Sequence, residues 1–184
     1  PCAVLLPDDV ILADDPCLLQ MRRVFEETGR PVVALMEVSR EETARYGIVA
    51  GEPLGKRRMR ITDMVEKPKT KPPSRYAIIG RYILPPQIFG LLEKTERGAG
   101  GEIQLTDGLR ELVREGDFYG YVFEGQRYDA GEKIGYLKAT VDFALKNPVL
   151  SEEFRAYLRG LFDDGKATRN SRPKRRAARP RRRV

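Results

Sequence analysis

The chain has 184 residues, 41% of them hydrophobic and 33% charged, which fits one globular domain with a real core and excludes a wholly disordered polymer. No apolar run is long enough to cross a bilayer, so no membrane partner is expected. Histidine is absent and the only cysteines are Cys2 and Cys17. That excludes imidazole bases, Ser–His and Cys–His nucleophiles and a closed zinc site, and leaves carboxylates, lysine, arginine and backbone to carry any chemistry.

The net charge of +7 is a property of the tail. Nine of the 34 lysines and arginines lie between Thr168 and Val184, a stretch without an acid, and 25 bases stand against 27 acids before it. The two thiols form neither a disulfide framework nor a metal spacing, which points to a cytoplasmic setting. The chain opens on Pro1 and runs at once into an apolar strand, so a fragment or a processed chain is expected.

That strand, Ala3 to Leu6, is wholly apolar and leads to Pro7-Asp8-Asp9. A continuous apolar run reads as a strand covered on both faces, and ligands of α/β sheets bind beyond the carboxyl ends of such strands. Asp8 and Asp9 then fall where a binding site is expected, with hard oxygens suited to Mg²⁺. Aspartate is also a common turn residue, and the pair taken alone fits a plain turn at least as well.

Asp15 and Pro16 read as the N-cap and first position of a helix carrying Leu18, Met21 and Phe25, which Gly29 ends. A buried strand follows over residues 31 to 38, then one helical turn over 40 to 45. Strands over 46 to 50 and 59 to 65 flank a hairpin tip. Residues 66 to 74 hold three prolines and cannot be regular. A strand over 76 to 84 is broken by Gly80, and Pro85-Pro86 starts a short helix. Residues 97 to 101, RGAGG, read as a flexible loop. Thr106 is placed to cap a helix with Leu109, Leu112 and Val113, which Gly116 ends. A strand over 118 to 123 leads to Arg127-Tyr128-Asp129. A helix from 133 to 146 carries Ile134, Leu137, Val141 and Leu145 on one stripe, and Ser151 opens a last amphipathic helix. Alternating strands and helices indicate α/β architecture. The expected organisation is a folded domain over 1–165 and a disordered basic tail over 166–184. The tail could touch nucleic acid non-specifically, although a plain solubilising extension explains it more simply.

Three charged groups end strands: Asp8-Asp9, Glu66-Lys67 and Asp129. In one cleft they would offer two carboxylates for a metal, a lysine for a phosphate and a glutamate for hydroxyl groups. Gly47 and Gly80 would let backbone approach a ligand closely.

Six motifs in order carry a resemblance: Leu6-Pro7-Asp8-Asp9-Val10-Ile11-Leu12, Tyr46-Gly47-Ile48-Val49, Val65-Glu66-Lys67-Pro68, Ile79-Gly80-Arg81-Tyr82, Gly101 to Asp107 (GEIQLTD), and Tyr128 to Tyr136 (YDAGEKIGY). From residue 1 to about 162 the chain resembles the bacterial UTP–glucose-1-phosphate uridylyltransferases, within the sugar-phosphate nucleotidyltransferases. The resemblance implies an incomplete Rossmann-like fold, a mixed sheet flanked by helices. It implies transfer of a uridylyl group from UTP to glucose 1-phosphate, with Mg²⁺ as cofactor and a homo-oligomer when full length. Asp8 and Asp129 match the metal carboxylates, and Lys67 the lysine on the sugar phosphate. Glu66 matches the glutamate on glucose hydroxyls, Gly47 and Gly80 match glycines of the sugar pocket, and Asp9 is expected to face the sugar. The family's glycine-rich nucleotide loop has no counterpart in this sequence. Little or no activity of the chain alone is therefore expected, together with exposed apolar surface and an open sheet edge. A thymidylyl-, adenylyl- or cytidylyltransferase of the same family, or a non-catalytic sugar-phosphate-binding module, are the alternatives.

Overall fold

The computed structural model describes residues 1–96 and 103–170, the last seven of these by backbone alone. The chain divides into two compact units, Pro1–Leu137 and Lys138–Val184.

The first unit is built on a six-stranded mixed sheet. Its strands are β1 (Cys2–Leu5), β3 (Val32–Glu37), β4 (Gly47–Pro53), β5 (Arg58–Glu66), β6 (Tyr76–Leu84) and β7 (Tyr119–Val122), in the order β1-β6-β3-β7-β5-β4. The β3–β7 pair is parallel; the other pairings described in this sheet are antiparallel. β4 also meets β6 at Ile48 and Ala77, so the sheet curls back on itself. A separate antiparallel ribbon joins β2 (Asp9–Leu12) to β8 (Gln126–Asp129).

Alternation along β3 shows how the core is divided. Val32 and Ala34 join Cys17, Met21 and Val24 of α1 (Cys17–Thr28) on one face. Val33 and Leu35 join Ile88 of α2 (Gln87–Lys94) and Leu109 and Leu112 of α3 (Leu105–Glu115) on the other. A side-chain period of two therefore feeds two cores from one strand. β6 does the same, with Ile79 and Ile83 on the α1 side and Ile78, Tyr82 and Leu84 opposite.

β1 departs from the sequence reading. Cys2 and Val4 pack inward, but Ala3 and Leu5 are exposed, Leu5 by 50%. Among the described residues β1 pairs with β6 only, so an open edge and exposed apolar surface are present as expected. The apolar run identified the strand correctly and its cover on both faces incorrectly, because composition does not report what lies over a strand.

Other differences are local. Pro16 rather than Asp15 is the N-cap of α1; the Asp15 carboxylate pairs with Arg23, and its carbonyl accepts a hydrogen bond from Gln20 Nε2 at 2.6 Å. Gly29 ends α1 with φ 64° as expected. β6 runs unbroken through Gly80. Gln104, not Thr106, is the N-cap of α3. Ribbon strands β2 and β8 are too short and too polar at one end to stand out by alternation. The loop expected over 97 to 101 lies outside the described residues.

α4 (Lys133–Lys146) starts in the first unit, where Ile134 and Leu137 of its expected apolar stripe are exposed. In the second unit α5 runs over Ser151–Asn170, past the expected start of the tail. The turn before it is closed by Asn147, whose side-chain oxygen accepts the Val149 amide at 2.8 Å, an Asx turn. Residues 171–184 lie outside the described residues. No helix among the described residues is long and apolar enough to cross a membrane.

Candidate active site

The ribbon and the sheet meet around the Pro7-Asp8-Asp9 turn. Leu6 donates its amide to the Gly80 carbonyl at 2.9 Å, which ends β1 against β6. Pro7 and Asp8 turn the chain, and Asp9 starts β2 directly opposite Asp129 on β8. The Ala130 amide donates to the Asp8 carbonyl at 2.7 Å. Asp8 and Asp129, separated by most of the chain, are thereby brought together. Both face the space beside Gly131: a Cβ there would stand 3.3 Å from Asp129 Oδ1 and 3.5 Å from Asp8 Oδ2. Gly135, in the first turn of α4, sits so close to the Asp129 carbonyl that a side chain there would overlap it.

Asp9 plays a different part. Its side chain is 8% exposed and both oxygens are engaged. Oδ2 accepts the Gly80 amide at 2.8 Å, and Oδ1 accepts Arg127 Nε. Its carbonyl accepts Arg81, which also donates to the Leu6 carbonyl at 3.1 Å and the Gly80 carbonyl at 2.8 Å. Gly80 is required for this approach: a Cβ would lie 2.6 Å from Asp9 Oδ2 and 2.5 Å from Leu6 Cβ. The Asp9 carboxylate is thus given to the protein rather than left open to a ligand.

Arg127 anchors the ribbon. Its side chain is 9% exposed; besides Asp9 it reaches Asp129 Oδ2 at 3.4 Å and donates to the Tyr46 hydroxyl at 2.8 Å. Its guanidinium carbon lies 5.3 Å from the Tyr46 ring centroid, within cation–π range. Burial disfavours the Arg127 charge, but the charge and hydrogen bond of Asp9, with Tyr46 and Asp129, together more than offset it, and the guanidinium is held above its ordinary range. Arg45, more exposed, lies 3.9 Å from Asp129 Oδ2 and 3.4 Å from Glu132.

The second cluster ends β5. Gly47 stands opposite Glu66 in the β4–β5 ladder. A Cβ on Gly47 would lie 3.1 Å from Glu66 Oε2, 3.4 Å from Ile78 and 3.5 Å from Thr106 Oγ1. The Thr106 hydroxyl donates to Glu66 Oε2 at 2.6 Å. Lys67 is 62% exposed, with Nζ 3.6 Å from Glu66 Oε1. Its φ is 40°, the sole positive value among described non-glycine residues, and its amide donates to the Tyr46 carbonyl at 3.0 Å. A left-handed lysine stores strain, which is characteristic of functional turns. Tyr82 lies between the clusters: burial pushes its hydroxyl above its ordinary range, and the charges of Asp9 and then Glu66 add to that.

The family model described as nucleotidyl transferase matches residues 1–145. The chain belongs to the nucleotidyl transferase family. A UTP–glucose-1-phosphate uridylyltransferase of Staphylococcus epidermidis is 44% identical over 162 residues, covering 88% of this chain and 56% of that protein. A second such protein, from Staphylococcus saprophyticus, is 45% identical over 164 residues with the same coverage. Among solved structures, a UDP-glucose pyrophosphorylase complexed with UDP-glucose superposes with a TM-score of 0.74 at 40% identity, covering 79% of this chain and 56% of that one. A UTP-bound enzyme from Acinetobacter baumannii gives 0.75 at 32% identity, covering 85% of this chain and 55% of that one. The chain thus spans little more than half the length of these relatives. As a nucleotidyl transferase it has the expected mixed α/β fold.

Sequence reasoning named both clusters and missed what joins them. Arg127, Arg81 and Tyr46 lie inside the motifs or beside them without a role, and Thr106 reads in sequence as a helix cap rather than as the partner of Glu66. A signal for Arg127 existed: Arg-x-Asp in an extended segment puts both side chains on one face.

Proposed function

We propose that this chain is the sugar-phosphate- and metal-holding part of a UTP–glucose-1-phosphate uridylyltransferase, forming UDP-glucose and pyrophosphate. The observation that carries the reading is the convergence of Asp8 Oδ2 and Asp129 Oδ1 to within 3.5 Å of one point, in a first unit that also holds the Glu66-Lys67 corner. The names of the relatives support the substrate pair.

The donor set fits Mg²⁺. Among the described residues no three acidic or thiol ligands gather, and Mg²⁺ is commonly held by one or two carboxylates together with substrate phosphates and water. Asp8 and Asp129 would hold the ion, which supplies charge neutralisation and alignment of the phosphates when bound.

The rest follows from residues of the chain. A phosphate monoester is mostly dianionic at neutral pH, its second pKa being about 6, so its oxygen needs no general base. It attacks the α-phosphorus of UTP, and the bond to pyrophosphate breaks. Lys67 offers an exposed ammonium to the sugar phosphate. Glu66 repels phosphate but accepts hydrogen bonds from neutral sugar hydroxyls, with Thr106 fixing Oε2. Gly47 keeps the space beside Glu66 open, and Gly80 is drawn against Asp9, which acts on the site through backbone. The two free thiols accord with a cytoplasmic enzyme.

The family's glycine-rich loop has no counterpart in this sequence, so the chain alone should bind sugar phosphate and turn over little or nothing. Nuclear magnetic resonance titration with glucose 1-phosphate and Mg²⁺ tests this. Amide shifts at Gly47, Glu66, Lys67 and Gly80 are expected. No shift there, or robust turnover with UTP by the chain alone, would contradict the reading.

A further inference from the structure

We propose that Arg127 is a positioning residue that turns one oxygen of Asp129 toward Asp8 and, through Tyr46, holds the Lys67 corner in register with the carboxylate pair. The proposal rests on the reading of the site given above and assigns the link between its two halves.

The register of the ribbon creates a problem that Arg127 solves. Asp9 stands opposite Asp129, and Ile11 opposite Arg127. Like charges directly opposed in a ladder repel. A period of two puts Arg127 and Asp129 on one face of β8, and Asp9 is the diagonal neighbour of Arg127 across the ribbon. The planar guanidinium can therefore serve both acids at once, and does: Nε meets Asp9, and Nη2 lies 3.4 Å from Asp129 Oδ2.

This divides the two oxygens of Asp129. Oδ2 faces the arginines, and Oδ1 lies on the side shared with Asp8 Oδ2 beside Gly131. A carboxylate held by one oxygen presents the other in a fixed direction, as outer partners of metal ligands commonly arrange. Arg45 is 53% exposed and farther away, at 3.9 Å, so screening leaves it the weaker partner.

The remaining nitrogen connects to the second cluster. Nη1 donates to the Tyr46 hydroxyl at 2.8 Å, and the Tyr46 carbonyl accepts the Lys67 amide at 3.0 Å. One buried side chain thus touches Asp9, Asp129 and the residue that fastens Lys67 in its positive-φ conformation. A lysine at 127 would keep charge but lose the fork.

Mn²⁺ binding, read by electron paramagnetic resonance on the purified chain, tests the first link, and glucose 1-phosphate titration tests the second. Arg127→Lys should weaken Mn²⁺ binding about ten- to hundredfold. Tyr46→Phe keeps the ring and removes the hydroxyl. It should leave Mn²⁺ affinity within about twofold and weaken glucose 1-phosphate about three- to tenfold. Circular dichroism confirms that each variant is folded, and Tyr46→Phe decides the matter if Arg127→Lys does not fold. Wild-type affinities in Arg127→Lys, or wild-type sugar-phosphate affinity in Tyr46→Phe, would overturn the proposal. Asp8→Asn separates the two levels. Its loss of Mn²⁺ binding, with Arg127→Lys unaffected, would overturn the role of Arg127 alone. Unchanged Mn²⁺ binding in Asp8→Asn would refute the cation site and with it the role of Arg127.

Discussion

The buried carboxylate of Asp9 accepts the backbone amide of Gly80 at 2.8 Å, and this contact fastens the β2–β8 ribbon to β6 of the sheet. Asp9→Ala would leave that amide unpaired and strip the Arg127 guanidinium of its closest carboxylate. Removing one member of a buried ion pair costs about 3–5 kcal/mol, and urea unfolding should show a loss of that order. Asp9→Asn, which keeps an oxygen acceptor, should lose less.

Gly80→Ala probes the same contact from the other side. The new methyl would meet Leu6 Cβ at 2.5 Å and Asp9 Oδ2 at 2.6 Å. Leu6 Cβ is next to backbone and cannot yield cheaply. Overpacking of this kind costs about 1–3 kcal/mol, and glucose 1-phosphate binding should fall with the displaced turn. A fully stable variant with unchanged binding would show that the turn is looser than described.

Lys67→Gly separates strain from function. A left-handed L-residue costs about 1–2 kcal/mol, while glycine brings an entropic cost of about 0.5–1 kcal/mol. Stability in urea should stay level or rise, and glucose 1-phosphate affinity should fall at least about tenfold, or 1.4 kcal/mol. A loss of stability with intact binding would contradict both assignments.

Thr106→Val removes the hydroxyl that donates to Glu66 Oε2 at 2.6 Å and nearly keeps the shape. Glucose 1-phosphate should bind about three- to tenfold more weakly, with little change in melting temperature. An unchanged affinity would mean that Glu66 needs no such support.

Cys17 supplies a prediction on pH. Burial pushes its thiol from 9.0 up to about 12, and the nearby Arg81 charge lowers it only in part. The unfolded chain releases this proton first as pH rises, so its contribution to stability is full below pH 9.0 and is lost progressively toward pH 12. Cys17→Ala should flatten the alkaline fall in stability measured by urea unfolding between those limits. In the native protein at pH 8, iodoacetamide should spare Cys17 and react with it once the chain is unfolded.

Much of this architecture is legible in the sequence, for identifiable reasons. Val32 to Leu35 announce a strand buried on both faces because nothing polar interrupts them, and Gly29 ends α1 because its φ of 64° suits glycine. Asp8, Glu66, Lys67 and Asp129 stand out because each closes a strand or sits at its turn. The failures have physical causes as well. Val4 and Leu5 look alike as letters, yet Val4 packs inward and Leu5 does not. Asp9 reads like Asp8 in sequence, but the pleat points it at Gly80 and Arg127. Gly80 looks like a strand breaker, whereas it is the residue that lets another segment approach. For Arg127 the Arg-x-Asp spacing gives only the Asp129 partner; the other two, Asp9 of β2 and Tyr46 before β4, lie far off in the chain, where no local pattern reaches.

The central claim is that Asp8 and Asp129 form one cation site beside Gly131. Paramagnetic broadening by sub-stoichiometric Mn²⁺ in amide spectra of the chain tests it most directly. Broadening should centre on Asp8, Asp129, Ala130 and Gly131 and vanish in Asp8→Asn. Broadening centred elsewhere, or unchanged in that variant, would contradict it.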